Sequence, residues 1–288
     1  MARWGMSDEA LWNVNPRLVI VHISGFGQTG DPDYVGRASF DGIGQAFSGY
    51  MEMNGFQDRL PIPAFPQPSD YFTGLFGVTG ALAALHRAQS TGKGDSIDVA
   101  QFEAMLRVSG FYVMNYLNTG RLPEREGSHS TSSAGYGTYL CADGVPLYLL
   151  VIGSGVVSNA LHVLGIEQGT EPFPEGLAVC GVNTEAGRVL ERKLSCFFET
   201  HDSVEAERIL LNAGIPCSRI YTFADGEEDP HYQAREIYTE WSNAYDEGTI
   251  RGVNVVPKLK INPGRISRGM PLVGQHNEKI LEEIGIAP

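Results

Sequence analysis

Hydrophobic and polar positions divide the chain into short elements from its first residues onward. Ser7 reads as a helix cap, with Asp8 and Glu9 in a first turn that favours acids. This helix ends near Asn15-Pro16, because the residue before a proline is pushed out of the helical region. Leu18-Val19-Ile20-Val21-His22-Ile23 then runs with almost no polar alternation. That is the pattern of a strand buried on both faces of a parallel sheet, with His22 as a core residue. Residues 95–99 predict a second strand, between the Gly92-Lys93-Gly94 turn and a helix from Ala100 to about Leu117. A doubly buried strand needs parallel neighbours and covering helices, yet the stretch before residue 120 offers two strands. The pattern predicts that another chain completes the sheet or that part of the protein lies outside this sequence.

Between these strands, residues 40–51 predict a helix and Asn54-Gly55 a turn. Pro61, Pro63, Pro66 and Pro68 enforce an extended approach to the longest helix, about residues 70–90. Tyr71, Leu75, Val78, Leu82 and Leu85 share one side of it at helical spacing, and Gly92 stops it. Residues 121–135 are polar and read as a linker. Residues 136–141 and 145–151, joined by Ala142-Asp143-Gly144, predict a β-hairpin. Helices near 158–164 and 184–200, another from Asp202 to Gly214, and a strand at 217–222 complete a small α+β domain. A helix near 231–237, strands near 249–256 and a last helix at 277–284 follow.

Composition narrows the function classes. The net charge of −13 over 288 residues opposes a nucleic-acid binder, which needs a basic face, and docking on anionic lipid. A hydrophobic content of 42% with 19% charge supplies real cores. Glycine, at 35 residues, exceeds the usual ~7% and marks a turn-rich globular enzyme. Cys141, Cys180, Cys196 and Cys217 show no C-x-x-C spacing, which fits reduced thiols in the cytoplasm. The first residues lack a signal peptide's apolar core, and no apolar run approaches the ~18 residues a membrane span needs.

Gly25-Phe26-Gly27-Gln28-Thr29-Gly30 has the spacing of a dinucleotide loop, but Asp31-Pro32-Asp33 follows where a helix should open. A tight loop whose bare backbone approaches another ligand, or plain turn glycines, fits better. Asp70 stands where the proline-rich approach meets the long helix, so backbone N–H groups and the helix dipole favour its ionised form. It is either an ordinary capping acid or a positioned carboxylate nucleophile. His86, His129, His162, His201, His231 and His276 lack metal-ligand spacing, and no serine has the G-x-S-x-G elbow.

Several pieces acquire meaning in their order: Asn15-Pro16-Arg17-Leu18, Ser24-Gly25-Phe26-Gly27-Gln28, Phe40-Asp41 with Gln45-Ala46 and Ser48-Gly49, Pro68-Ser69-Asp70-Tyr71, Gly92-Lys93-Gly94 and Gly274-Gln275-His276-Asn277. Together they resemble the class III CoA-transferases over essentially the whole chain. Ala64-Phe65-Pro66, Cys141-Ala142-Asp143-Gly144 and the run from Asn262 to Pro271 are similar to the branch of the family that acts on L-carnitine. The resemblance implies an α/β fold: a partial Rossmann-like large domain at 1–121, a linker and small α+β domain at 122–228, and a return segment to the large domain at 229–288. It implies that Asp70 carries an aspartyl-CoA thioester while CoA passes from an acyl-CoA to a free acid of the carnitine, crotonobetaine or γ-butyrobetaine type. Coenzyme A is then a substrate, with no permanently bound cofactor and no metal. Arg3, Ser24, Gly25, Phe26 and Gly27 are implied for CoA or for a developing oxyanion. Asp41, Gln45, Tyr71, Gly135 and Gly137 are implied as supporting residues. Family members form interlocked cytoplasmic homodimers, so the same is expected here.

Departures from related branches sharpen this expectation. Phe40 stands where α-methylacyl-CoA racemases carry a catalytic histidine, and Ala134-Gly135-Tyr136-Gly137 replaces the glycine run of formyl-CoA transferases. Aromatic side chains and an acidic balance suit a trimethylammonium acid. The family's first βα units are expected before Ala2-Arg3-Trp4-Gly5, and Trp4 stands where a second basic residue is expected. The end at Ile286-Ala287-Pro288 is shorter than in the family. Transfer to another carboxylic acid, or a non-catalytic remnant, remains the alternative.

Overall fold

The computed structural model describes residues 1–243 and 248–286, so Ala287 and Pro288, named above, lie outside the described residues. Backbone packing divides the chain into two compact units, Met1–Ser218 and Arg219–Pro288. The architecture is mixed α/β.

The first unit opens with a 3₁₀ turn, Ala2–Trp4, and α1 (Asp8–Val14), whose Ser7 cap accepts the Ala10 N–H at 3.2 Å. Strand β1 (Ile20–Ser24) comes next, then α2 (Asp41–Phe47) and α3 (Pro68–Thr91). Strand β2 (Ser96–Ala100) pairs with β1 in parallel, with Ile20 opposite Ser96 and Ser24 opposite Ala100. The sheet is two strands wide. The strand predicted to be buried on both faces is therefore half-exposed: Val21 is 38% and Ile23 54% accessible. Hydrophobic composition identified the strand, but two strands and one covering helix cannot enclose it.

The faces of this sheet differ in chemistry. Val21, Ile23 and Ile97 meet α3 at Gly77 and Gly80, where a Cβ would lie 3.3 Å from Ile23 Cδ1 and 2.9 Å from Ile97 Cγ2 respectively. Small residues thus set the helix close on the sheet. The buried positions of α3 are Ser69, Thr73, Gly77, Ala84 and Ala88. The predicted apolar side, Tyr71, Leu75, Val78, Leu82 and Leu85, points away and is exposed. On the other sheet face His22 is not a core residue. Its Nε2 lies 3.0 Å from Asp8 Oδ1, and Ser96 Oγ donates to Asp8 Oδ2 at 2.6 Å. The Ser96 hydrogen bond is the main influence holding the Asp8 carboxyl below its ordinary range.

The helix predicted from Ala100 to Leu117 is two helices, α4 (Gln101–Val108) and α5 (Phe111–Thr119). Gly110, at φ +57°, breaks it. Likewise the predicted 40–51 helix ends at Phe47, because Ser48-Gly49 turns the chain into a short 3₁₀ turn at Met51–Met53. In residues 1–120 the buried apolar side chains are four alanines and Met105.

The large buried residues lie further along. Hairpin β3 (Tyr136–Leu140) and β4 (Pro146–Leu150) is antiparallel, with Tyr136 opposite Leu150. Strand β5 (Cys217–Arg219) extends that sheet in the order β3-β4-β5 and is shorter than the 217–222 expected. Helices α6 (Ser154–Val163), α7 (Glu185–Thr200) and α8 (Ser203–Asn212) cover it. Leu147 and Leu149 of β4 pack with Leu161, Leu190, Leu194, Phe198 and Leu210 in one core. Helix α6 begins at Ser154, ahead of the 158–164 expected. In the second unit α9 (Phe223–Glu228) and α10 (Pro230–Ala234) precede the hairpin β6 (Tyr238–Ser242) and β7 (Thr249–Val253), and α11 (Asn277–Glu283) follows. Neither α9 nor β6 was expected. Both are short, and the half-buried aromatic positions of β6, Tyr238 and Trp241, are three apart and lack the alternation of a strand.

Because its pKa is lowered in the folded state, Asp8 adds stability above the ordinary carboxylate range, and that stability is lost as pH falls through its folded value. Ser96→Ala is expected to lower stability by ~1 kcal/mol at pH 7. Urea denaturation followed from pH 7 to pH 2 should show this deficit shrinking towards zero in acid. A deficit independent of pH contradicts the assignment.

Candidate active site

The two parallel strands end side by side, and ligand sites of α/β sheets lie beyond such carboxyl ends. From β1 the chain enters Ser24, Gly25, Phe26 and Gly27, and from β2 it enters α4 directly at Gln101. Gly25 lies against Ser39. Ser39 Oγ donates to Gln101 Oε1 at 2.7 Å, and Gln101 Nε2 donates to Asp70 Oδ1 at 2.6 Å. Gln101 is buried, whereas Asp70 is exposed.

Asp70 occupies the first turn of α3, with Pro68 at the helix start. A proline there needs no N–H, but the other first-turn donors require acceptors. The cap residue Gln67, at φ +23°, supplies no side-chain acceptor. Its left-handed backbone costs on the order of 1–3 kcal/mol unless the surroundings enforce it. Asp41, at the start of α2, provides the missing cap: its Oδ1 accepts the Ser69 N–H at 2.7 Å and the Asp70 N–H at 3.4 Å. Gln45, one turn on, donates to Asp41 Oδ2 at 2.5 Å. It also brackets Ala64, accepting that residue's N–H at 2.9 Å and donating to its carbonyl at 3.1 Å. Asp41 and Gln45 thereby hold both the helix start and the extended segment before it. Gly44 permits this closeness, because a Cβ there would lie 2.4 Å from Ser69 Oγ, a fully buried hydroxyl with no partner.

The other expected residues are distributed differently. The Gly27 N–H donates to Ser24 Oγ at 2.9 Å, and the Gln28 N–H donates to Asp98 Oδ2 at 2.8 Å, so both donors are engaged within the protein. The Phe26 ring packs 5.0 Å from Phe47 and 5.8 Å from Tyr34, centroid to centroid. Tyr71 and Phe40, neighbours of the two carboxylates in sequence, are exposed. Arg3 stacks its guanidinium 4.7 Å above the Trp4 ring and is not part of the Asp70 network. Nor are Gly135 and Gly137. The Gly135 N–H donates to Glu191 Oε1 of α7 at 2.7 Å, and Gly137 lies in β3 against Ser128 and His129. Tyr139 OH also donates to Glu191, at 2.9 Å to Oε2. Burial, reinforced by that carboxylate, pushes the Tyr139 phenol well above its ordinary range.

Sequence reasoning named Asp41, Gln45 and Asp70, which share one network, but missed Gln101 and Ser39. The signal for Gln101 was its place: a polar side chain immediately after a parallel strand, where the sheet's carboxyl end presents its first helical residue.

Residues 1–277 match CoA-transferase family III. The chain belongs to this family. One relative of this family III chain is the bile acid CoA-transferase BaiK of Clostridium scindens, 40% identical over 286 residues, which cover 98% of this chain and 65% of that protein. The chain thus spans just under two thirds of that relative's length. A CaiB/BaiF family protein from Brucella suis has a similar structure, with TM-score 0.77 and 27% identity, over 98% of this chain and 72% of that one. Rv3272 of Mycobacterium tuberculosis, at TM-score 0.78 and 16% identity over 96% of this chain and 72% of its own, shares the fold. No helix among the described residues is long and apolar enough to cross a membrane.

In the family III chain Asp41→Ala is expected to leave the Ser69 N–H and one of the two N–H groups of the Gln45 amide without an acceptor, the other still reaching the Ala64 carbonyl, lowering stability by ~2–4 kcal/mol. Thermal unfolding checks this. Asp41→Asn, which keeps one acceptor oxygen, should lose less.

Proposed function

We propose that this chain transfers coenzyme A from an acyl-CoA to a free carboxylic acid, with Asp70 as the covalent carrier. The observation that carries the reading is the exposed carboxylate of Asp70, on the first turn of α3 and bonded to the residue that follows β2, in a member of CoA-transferase family III. In this reading one Asp70 oxygen attacks the thioester carbonyl, the C–S bond breaks, and CoA leaves as thiolate. The thiolate then attacks the Asp70 carbonyl of the mixed anhydride, forming the aspartyl-CoA thioester and releasing the acyl group as its acid. The acceptor carboxylate reverses these steps and takes the CoA. Each intermediate keeps the acyl activation, so one difficult exchange becomes easier ones.

The acceptor we favour is a trimethylammonium acid of the carnitine type. Exposed Phe40 and Tyr71, each next in sequence to one of the two carboxylates, supply aromatic faces that suit such a cation. A bile acid is the second reading, favoured by the name of the 40% identical relative. Arg3 and the Ser24, Gly25, Phe26 and Gly27 loop are proposed for the CoA side. Asp41, Gln45, Tyr71, Gly135 and Gly137 are proposed to support the site. An interlocked homodimer is the proposed assembly, supported by the apolar stripe of α3 that this chain leaves uncovered. The division at 121/122 and 228/229 is proposed to separate large domain, small domain and return segment. Four free cysteines suit a reducing cytoplasm.

Asp70→Ala is expected to lower CoA transfer by roughly a thousandfold or more while the fold is retained. Intact-protein mass after incubation with acyl-CoA should show a CoA adduct that Asp70→Ala lacks. Full activity in that variant rules out the mechanism. Parallel assays with carnitine and with a bile acid as acceptor separate the two substrate readings.

A further inference from the structure

Gln101 is placed to act on the reaction itself. Its Nε2 donates to Asp70 Oδ1 at 2.6 Å, and its own Oε1 is fixed by the Ser39 hydroxyl at 2.7 Å. An ionised carboxylate can only accept, so the amide turns its N–H₂ face towards Asp70 and leaves Oε1 to accept from the Ser39 hydroxyl. Its backbone is equally fixed, as the first residue of α4 directly after β2. The amide is buried, so the donor is preorganised rather than recruited from solvent.

We infer that Gln101 is a catalytic hydrogen-bond donor that serves Asp70 as its oxyanion partner, Oδ1 being the oxygen that never leaves the aspartate carbonyl. The inference rests on the transfer reading above. While Asp70 is a carboxylate, its charge is shared between two oxygens, and the amide holds Oδ1 so that Oδ2 is the oxygen free to attack. Once Oδ2 has bonded to the acyl carbon, Oδ1 is the carbonyl oxygen of the anhydride. Attack by CoA thiolate on Asp70 Cγ makes a tetrahedral centre. The C=O electron pair moves onto Oδ1 as a full negative charge, then returns as the bond from Cγ to the acylate oxygen breaks. The acceptor carboxylate later attacks the same carbon of the thioester, Oδ1 is charged again, and the C–S bond breaks. The hydrogen bond is stronger to a full charge than to half of one, so Gln101 stabilises these transition states more than the resting carboxylate. No proton is transferred, which suits an amide.

The test uses the full chain in single turnover with an acyl-CoA, the aspartyl-CoA adduct being followed by intact-protein mass. Gln101→Leu is expected to slow adduct formation about 10- to 100-fold, as for loss of one hydrogen bond to a charged group. The KM for acyl-CoA should move less than about threefold, because the donor matters at the barrier and not in binding. Gln101→Glu provides a readout that a structural role would not move. Ionised, the introduced carboxyl repels Asp70. Protonated, it donates an O–H to Oδ1, so its rate relative to wild type should rise at least about tenfold from pH 8 to pH 5. Ser39→Ala, which loosens the amide without deleting it, should fall between wild type and Gln101→Leu. Wild-type rates in Gln101→Leu, or a flat pH ratio in Gln101→Glu, overturn the role of Gln101 alone. If Gln101→Leu fails to fold, the pH ratio and Ser39→Ala still decide. Absence of any adduct in the wild-type chain overturns the transfer reading and this inference with it.

Discussion

The carboxylate of Asp41 is the interaction from which the rest of the site follows. A helix that begins with proline, after a residue offering no side-chain acceptor, cannot satisfy its own first donors. Asp41 satisfies them from another helix, and Gln45 ties the same carboxylate to the segment leading into α3. Three pieces are fixed by this carboxylate and its Gln45 partner: the start of α2, the extended stretch at Ala64 and the turn that presents Asp70. A carboxylate used in this way has no remaining freedom to serve as nucleophile, while Asp70 projects from the turn it supports. The two acids are thus separated in role by which of them the backbone consumes.

Much of this was legible in the sequence because it depends on local chemistry. Pro68, Asp70 and Gly92 mark the ends of the long helix, Ser7 and Asn15-Pro16 those of α1, and Ala142-Asp143-Gly144 the turn of the hairpin. What was not legible depends on neighbours. The stripe from Tyr71 to Leu85 has helical spacing but does not say which face the sheet takes. The sheet takes the other one, where Gly77, Ala84 and Ala88 permit close approach. His22 sits in an apolar run, yet its partner Asp8 comes from a helix no periodicity connects to it. Gln101 and Ser39 are 62 positions apart, and no pattern in the chain announces their bond.

The two regions of the first unit are stabilised differently. Residues 134–217 contain a core of large aliphatic and aromatic side chains, drawn from the hairpin and the helices that cover it. Residues 1–120 hold their site by hydrogen bonds, by small-residue contacts and by little buried apolar volume. Burial of a large apolar side chain contributes about 1.5–3 kcal/mol, so a region with few of them relies on directional bonds for its geometry. Substitutions near Asp70 are therefore felt as lost orientation, and substitutions near Leu190 as lost volume.

Tyr71 belongs to two of these features at once. It follows Asp70 in the first turn of α3, and it is the first member of the uncovered apolar stripe that continues through Leu85. Whatever lies along that stripe reaches, at its end, the residue next to Asp70, the proposed nucleophile. Occupancy of the stripe and access to Asp70 are geometrically linked, so the proposed association and the proposed turnover share a side chain and are not independent variables.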